Sequence, residues 1–124
     1  MPLKLKDISS YLSFAKKLSN TSEEILKKTP SNRIKINFKS DKSPVTKIDM
    51  AIERKLRSMI NKRFPDHGIF GEEYKNKTNN SPFLWVIDPI DGTKNFINGN
   101  SNFGTLISLC IDYTPVIGII NCPE

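Results

Sequence analysis

The chain has 124 residues, of which 37% are hydrophobic and 26% charged, with a formal net charge of +6. That suits one soluble globular domain with one core, and no apolar run is long enough to span a bilayer. The lysines are scattered, with no basic block and no interleaving with aromatics, which favours a solvated surface over a nucleic-acid interface. Cys110 and Cys122 form no CxxC pair and His67 is the only histidine, so a structural zinc site is not expected. The N-terminal stretch is interrupted by Lys4, Lys6 and Asp7 and has no signal-peptide pattern, so a cytoplasmic protein with reduced thiols is expected.

Taken in order, Ile8, Tyr11, Leu12, Ala15, Leu18, Ser22, Ile25 and Leu26 recur at helical spacing, with Asp7 as N-cap and Pro30 as the stop. Arg33 to Phe38 alternates and reads as an edge strand, followed by a polar turn over residues 39–44. Ile48, Ile52, Leu56, Met59 and Ile60 then mark a second amphipathic helix that ends near Phe64-Pro65. Asp49 has two compatible readings. It completes a capping box with Thr46, or it projects from the first helical turn into a site at that end.

Asp66-His67-Gly68 reads as a turn, with His67 given no catalytic role, and Ile69-Phe70 as a short strand leading to Gly71-Glu72-Glu73. Paired acids after a strand are usually solvated surface. They would instead meet the next acids if the two strands end side by side. Leu84 to Ile87 is a buried-strand run that stops at Asp88-Pro89-Ile90-Asp91-Gly92-Thr93. As a turn, this hexapeptide needs no further explanation. As a site, Pro89 would stiffen it, two carboxylates would hold cations, and a helix opening at Thr93 would offer amides to an anion. Phe103 to Ile111 and Val116 to Ile120, joined by a turn over residues 112–115, read as an antiparallel hairpin with Cys110 in the core.

The combination of VTKID at 45–49, GEE at 71–73 and WVIDPIDGTKNF at 85–96, in that order, resembles the inositol monophosphatase family of magnesium-dependent, lithium-sensitive phosphatases. Within it, SPVT at 43–46, FPDHGI at 64–69 and GTLI at 104–107 look most like the bacterial histidinol-phosphatase branch. The resemblance implies an α+β chain: the N-terminal half of a layered α/β/α/β/α sugar-phosphatase-type fold, with two helices on a largely antiparallel sheet. It implies that Glu72, Asp88, Asp91 and the backbone carbonyl of Ile90 bind Mg²⁺, two or three ions in all, with Li⁺ inhibitory.

By the same resemblance, a water activated by the cations attacks a small phosphorylated alcohol, histidinol phosphate or an inositol monophosphate, without a phosphoenzyme. Asp49 and Thr93 orient that water and take its proton, and the amides of Gly92 and Thr93 hold phosphate oxygens. Family members are considerably longer, and their second half carries a tryptophan–aspartate motif that completes a metal site; Trp85 is the only tryptophan here. Residues 1–124 are therefore expected to be one domain, the metal- and phosphate-binding half, with a sheet face uncovered. The expected partners are the substrate and either a second copy or a complementary C-terminal half. The alternative is a truncated, inactive remnant or the first half of a split enzyme.

Overall fold

The structure, a computed structural model, describes residues 5–28, 36–38, 44–78, 80–91 and 104–122; at 36–38, 44–46 and 91 it describes the backbone alone. The order of elements is α1 (Leu5–Lys27), β1 (Ile36–Phe38), β2 (Pro44–Thr46), α2 (Lys47–Arg63), β3 (Gly68–Gly71), β4 (Phe83–Asp91), β5 (Gly104–Ile111) and β6 (Thr114–Asn121). Both expected helices form. Asp7 lies within the first turn of α1, where its charge still suits the helix N-terminus, and is not its cap. Pro30, residues 33–35 and residues 39–43 fall outside the described residues; β1 and β2 pair antiparallel.

The main sheet runs β3-β4-β5-β6, parallel between β3 and β4 and antiparallel elsewhere. The expected hairpin is β5–β6. Its turn is tighter than the sequence suggested, with only Asp112 and Tyr113 between the strands, both at positive φ (49° and 64°). Two left-handed residues match the twist of the flanking strands. The connection from β3 to β4 folds back along the outer edge of β3, where Ile69 and Lys77 exchange backbone hydrogen bonds of 2.9 and 2.8 Å. That loop occupies an edge which would otherwise offer unpaired amides.

One face of the sheet is buried under α1 and α2. Trp85, Ile87, Ile107, Leu109 and Ile117 meet Ala15 and Leu18 of α1 and Ile52, Leu56 and Ile60 of α2 in one core. Trp85 is fully buried against Phe14 and Phe64, and truncating such a side chain to alanine typically costs about 3–5 kcal/mol. The buried stripe of α1 includes two serines, and both are bonded across to the sheet. Ser19 Oγ accepts from Asn121 Nδ2 at 2.8 Å, and Ser22 Oγ pairs with Thr105 Oγ1. Hydroxyls there cost nothing because each has a partner.

The other face carries Val86, Asp88, Leu106, Ser108, Gly118 and Ile120, and among the described residues no helix covers it; Ile120 is 73% exposed. No described helix is long and apolar enough to cross a membrane.

Candidate functional site

Two of the candidate acids, Glu72 and Asp88, lie just beyond the paired stretch of β3 and β4. β3 pairs with β4 in parallel through Gly71↔Ile87, so the two strands run side by side to this point. Beyond it, Gly71 leads to Glu72 and Ile87 leads to Asp88. Parallel register makes these two acids neighbours, and both line one open depression of about 520 Å³ together with Val86, Leu106, Ser108 and Gly118. Of the two readings of the paired acids, Glu72 therefore has the site-facing one and is exposed, whereas Glu73 is half-buried.

Residues 88–91 are not the turn expected at the end of a strand. β4 continues to Asp91, and the chain carries a bulge there. Asp88 is opposite Leu106 and Asp91 is opposite Gly104, so three steps on β4 match two on β5. The extra residue is accommodated at Pro89-Ile90, both buried. Proline has no N–H to give a ladder, and a bulge is one of the few places within a strand that tolerate it.

The bulge also changes parity. Residues three apart on a regular strand occupy opposite faces. Positions 88 and 91 instead face partners two apart on β5, which share a face, so the register puts both positions on one side of the sheet. The Asp91 side chain, Gly92 and Thr93 lie outside what the structure describes.

Two buried hydroxyls hold the bulge. Thr105 Oγ1 donates to the Pro89 carbonyl at 2.8 Å, and Thr105 is the residue of β5 between the two register partners. Its only proton is then committed, so Ser22 Oγ of α1 is the donor in the short Ser22–Thr105 contact. Helix α1, β5 and the bulge are thus tied by one chain of bonds.

Asp49 lies on α2 and is not among the residues that line the depression. It sits in the helix's first turn and is 1% exposed. The side chain of Thr46, its proposed cap partner, is not described, so the two readings of Asp49 stand together. One turn further on, Glu53 is fully buried. Its Oε1 accepts from Glu73 N at 2.8 Å, and its Oε2 accepts from Tyr74 N at 2.9 Å and from Arg57 Nε at 2.9 Å. Arg57 continues the brace, donating to the carbonyls of Lys75 (2.9 Å) and Tyr74 (3.1 Å). Asn76 Oδ1 accepts from Gly71 N at 3.2 Å.

Glu53 and Arg57 were not singled out from the sequence. The available signal was a glutamate, Glu53, on the helical stripe of Asp49, Ile52, Leu56 and Ile60 that α2 buries. A charged residue on a buried stripe implies a fixed partner.

Among the described residues, no three His, Cys, Asp or Glu side chains form a group that could hold a metal ion. The donors that are described at the depression, Glu72 and Asp88, are carboxylates. These are the hard oxygen ligands that Mg²⁺ takes in ones and twos, with water filling the remaining positions. The donor chemistry therefore fits a magnesium-type cation; the chain's one histidine, His67, lies buried among aromatics at the other end of β3.

Comparison with known proteins gives a consistent result. Residues 7–124 match the family model described as the inositol monophosphatase family. A chloroplastic bifunctional phosphatase of Arabidopsis thaliana is 37% identical over 98% of this chain and 36% of its own length. A histidinol-phosphatase of Chlorobaculum parvum is 39% identical over 73% of this chain and 35% of its own. The solved structure of a Thermotoga maritima IMPase superposes with a TM-score of 0.82 at 32% identity, covering 92% of this chain and 44% of that one. The chain thus spans well under half the length of these relatives.

Proposed function

The chain belongs to the inositol monophosphatase family, and from that premise we propose that it is the metal- and phosphate-binding half of a Mg²⁺-dependent phosphate monoester hydrolase. The substrate is a small phosphorylated alcohol, histidinol phosphate or an inositol monophosphate, in keeping with the histidinol-phosphatase and inositol monophosphatase names of its relatives. The observation that carries the reading is the bulge of β4. It brings positions 88 and 91 to one face, beside Glu72 at the end of the parallel neighbour β3.

Glu72, Asp88, Asp91 and the Ile90 carbonyl would hold the cations. The chemistry the cations supply is neutralisation of phosphoryl oxygens and a more acidic water. Asp49, from the first turn of α2, orients that water with Thr93 and accepts its proton. The amides of Gly92 and Thr93 bind phosphate oxygens and fix the phosphoryl group for in-line attack.

Phosphate release from histidinol phosphate and from inositol monophosphates, with and without Mg²⁺, tests this. Turnover should require Mg²⁺ and be lost in Glu72→Gln and Asp88→Asn. Turnover that survives both substitutions would rule the site out.

A further inference from the structure

The feature outside the expected motif that bears most directly on the site is the buried pair Glu53–Arg57. We propose that Glu53 is a positioning residue whose carboxylate templates the Gly71–Tyr74 turn and so sets where Glu72 points; this rests on the reading of Glu72 as a cation ligand. Three observations carry it. First, both oxygens of Glu53 are spent on this turn and its brace: Oε1 on Glu73 N–H, Oε2 on Tyr74 N–H and Arg57 Nε. Second, Gly71 lies so close that a Cβ built on it would be 2.6 Å from the Glu53 carboxyl carbon, so the strand is seated directly on the carboxylate. Third, Arg57 grips the carbonyls of residues 74 and 75, so one turn of α2 holds the amides and carbonyls of the segment that follows Glu72.

Glu72 itself is exposed and sits between the two residues, Gly71 and Glu73, that lie against Glu53. The backbone from which its side chain departs is held on both sides by Glu53, at Gly71 and at Glu73. The same helix carries Asp49 one turn earlier, on the same buried stripe. Rigid α2 therefore sets the spacing between a residue that handles the water and a residue that holds a cation.

The amide variant is the sharpest probe. In Glu53→Gln one oxygen can still accept, but the new NH₂ group faces an N–H donor, so at least one bond of the turn is lost. Glu53→Asp keeps a carboxylate and its charge on this turn of α2 but withdraws both oxygens by one bond length, giving a second variant that changes reach and not charge. Asn121→Ala serves as a control that loosens the contact between β6 and α1. Two quantities are measured on each chain: amide hydrogen exchange at Glu73 and Tyr74 without metal, and Mn²⁺ binding by electron paramagnetic resonance.

In both Glu53 variants the two amides should exchange faster and Mn²⁺ should bind about 10–100-fold more weakly, as found when groups that orient metal ligands are removed. The control should leave both readouts unchanged. Wild-type Mn²⁺ affinity in variants whose amides are released makes Glu53 merely structural and overturns the proposal alone. Absence of Mn²⁺ binding by the wild-type chain overturns the functional reading with it. If neither Glu53 variant folds, Glu53 is a global folding determinant and the positioning role is overturned.

Discussion

Trp85 donates its indole N–H to His67 Nδ1 at 3.0 Å, and the imidazole lies between the rings of Phe64 and Phe83, each 4.5 Å away and nearly parallel to it. The sequence suggested only a turn residue here. The structure shows a buried histidine, neutral at Nδ1, closing the aromatic cluster that joins β3 to β4. Burial is the main cause of a pKa lowered from 6.5 to about 4; Lys77 lowers it further, and Asp66 opposes. The unfolded chain therefore binds a proton at a pH where the folded chain does not. The stabilisation is present in full above about pH 6.5 and is lost as pH falls towards and through 4, and amounts to on the order of 2–3 kcal/mol. Urea midpoints measured from pH 7 to 4 should fall for the wild type. They should fall less for His67→Phe, which is less stable at pH 7 because the Trp85 N–H is orphaned. Equal slopes would show that His67 is not the group responsible.

Thr105→Val tests the hydroxyl chain behind the bulge. The substitution keeps the shape at a position that is 1% exposed, but leaves the Pro89 carbonyl and the Ser22 hydroxyl without this partner. A loss of about 1–3 kcal/mol is expected for the stranded groups. Because Pro89 lies inside the bulge, Mg²⁺-dependent turnover should fall by more than stability alone explains. A variant that loses stability but keeps the wild-type kcat and Mg²⁺ dependence would show that the bulge holds without the hydroxyls.

Helices α1 and α2 and the β5–β6 hairpin were legible because each carries a regular apolar period, and a period survives without knowledge of the partner surface. The acids at 49, 72 and 88 were legible as candidates from their motif setting. Their relative placement was not, since it depends on two facts of pairing. One is the parallel register Gly71↔Ile87; the other is the bulge that sets 88 and 91 against 106 and 104. Asp-Pro-Ile-Asp-Gly reads as a turn because proline and glycine punctuate local structure, yet Pro89 can remain in β4 once the ladder slips by a residue. Glu53 and His67 were missed for a common reason: a polar residue's burial is decided by what bonds to it from other elements, here Glu73, Tyr74, Arg57 and Trp85.

Gly71→Ala should be costly and Gly118→Ala should not. At Gly71 the new methyl meets a carboxylate held by three hydrogen bonds, so the obstruction cannot swing aside cheaply. Overpacking of this kind costs about 1–3 kcal/mol. A methyl at Gly118 meets nothing within 4 Å. It also restricts the unfolded chain, so a change between neutral and about 1 kcal/mol of stabilisation is expected. Urea midpoints of the two variants decide it, and a Gly71→Ala chain as stable as the wild type would mean that strand β3 is not seated on Glu53.

The cation site has a signature that does not need turnover. A ligand that binds only the folded chain stabilises it by RT ln(1 + [L]/Kd), about 2.7 kcal/mol at a hundredfold excess over Kd. The unfolding midpoint should therefore climb steadily with Mg²⁺ for the wild type. Because Glu72 and Asp88 line the same depression from adjacent parallel strands, Asp88→Asn and Glu72→Gln should each flatten that climb. Glu24→Gln, on the exposed side of α1, should leave it intact, which separates specific binding from general screening of surface charge. A climb equally steep in all three variants would mean that Mg²⁺ acts on the surface at large and that the acids at the ends of β3 and in β4 do not share an ion.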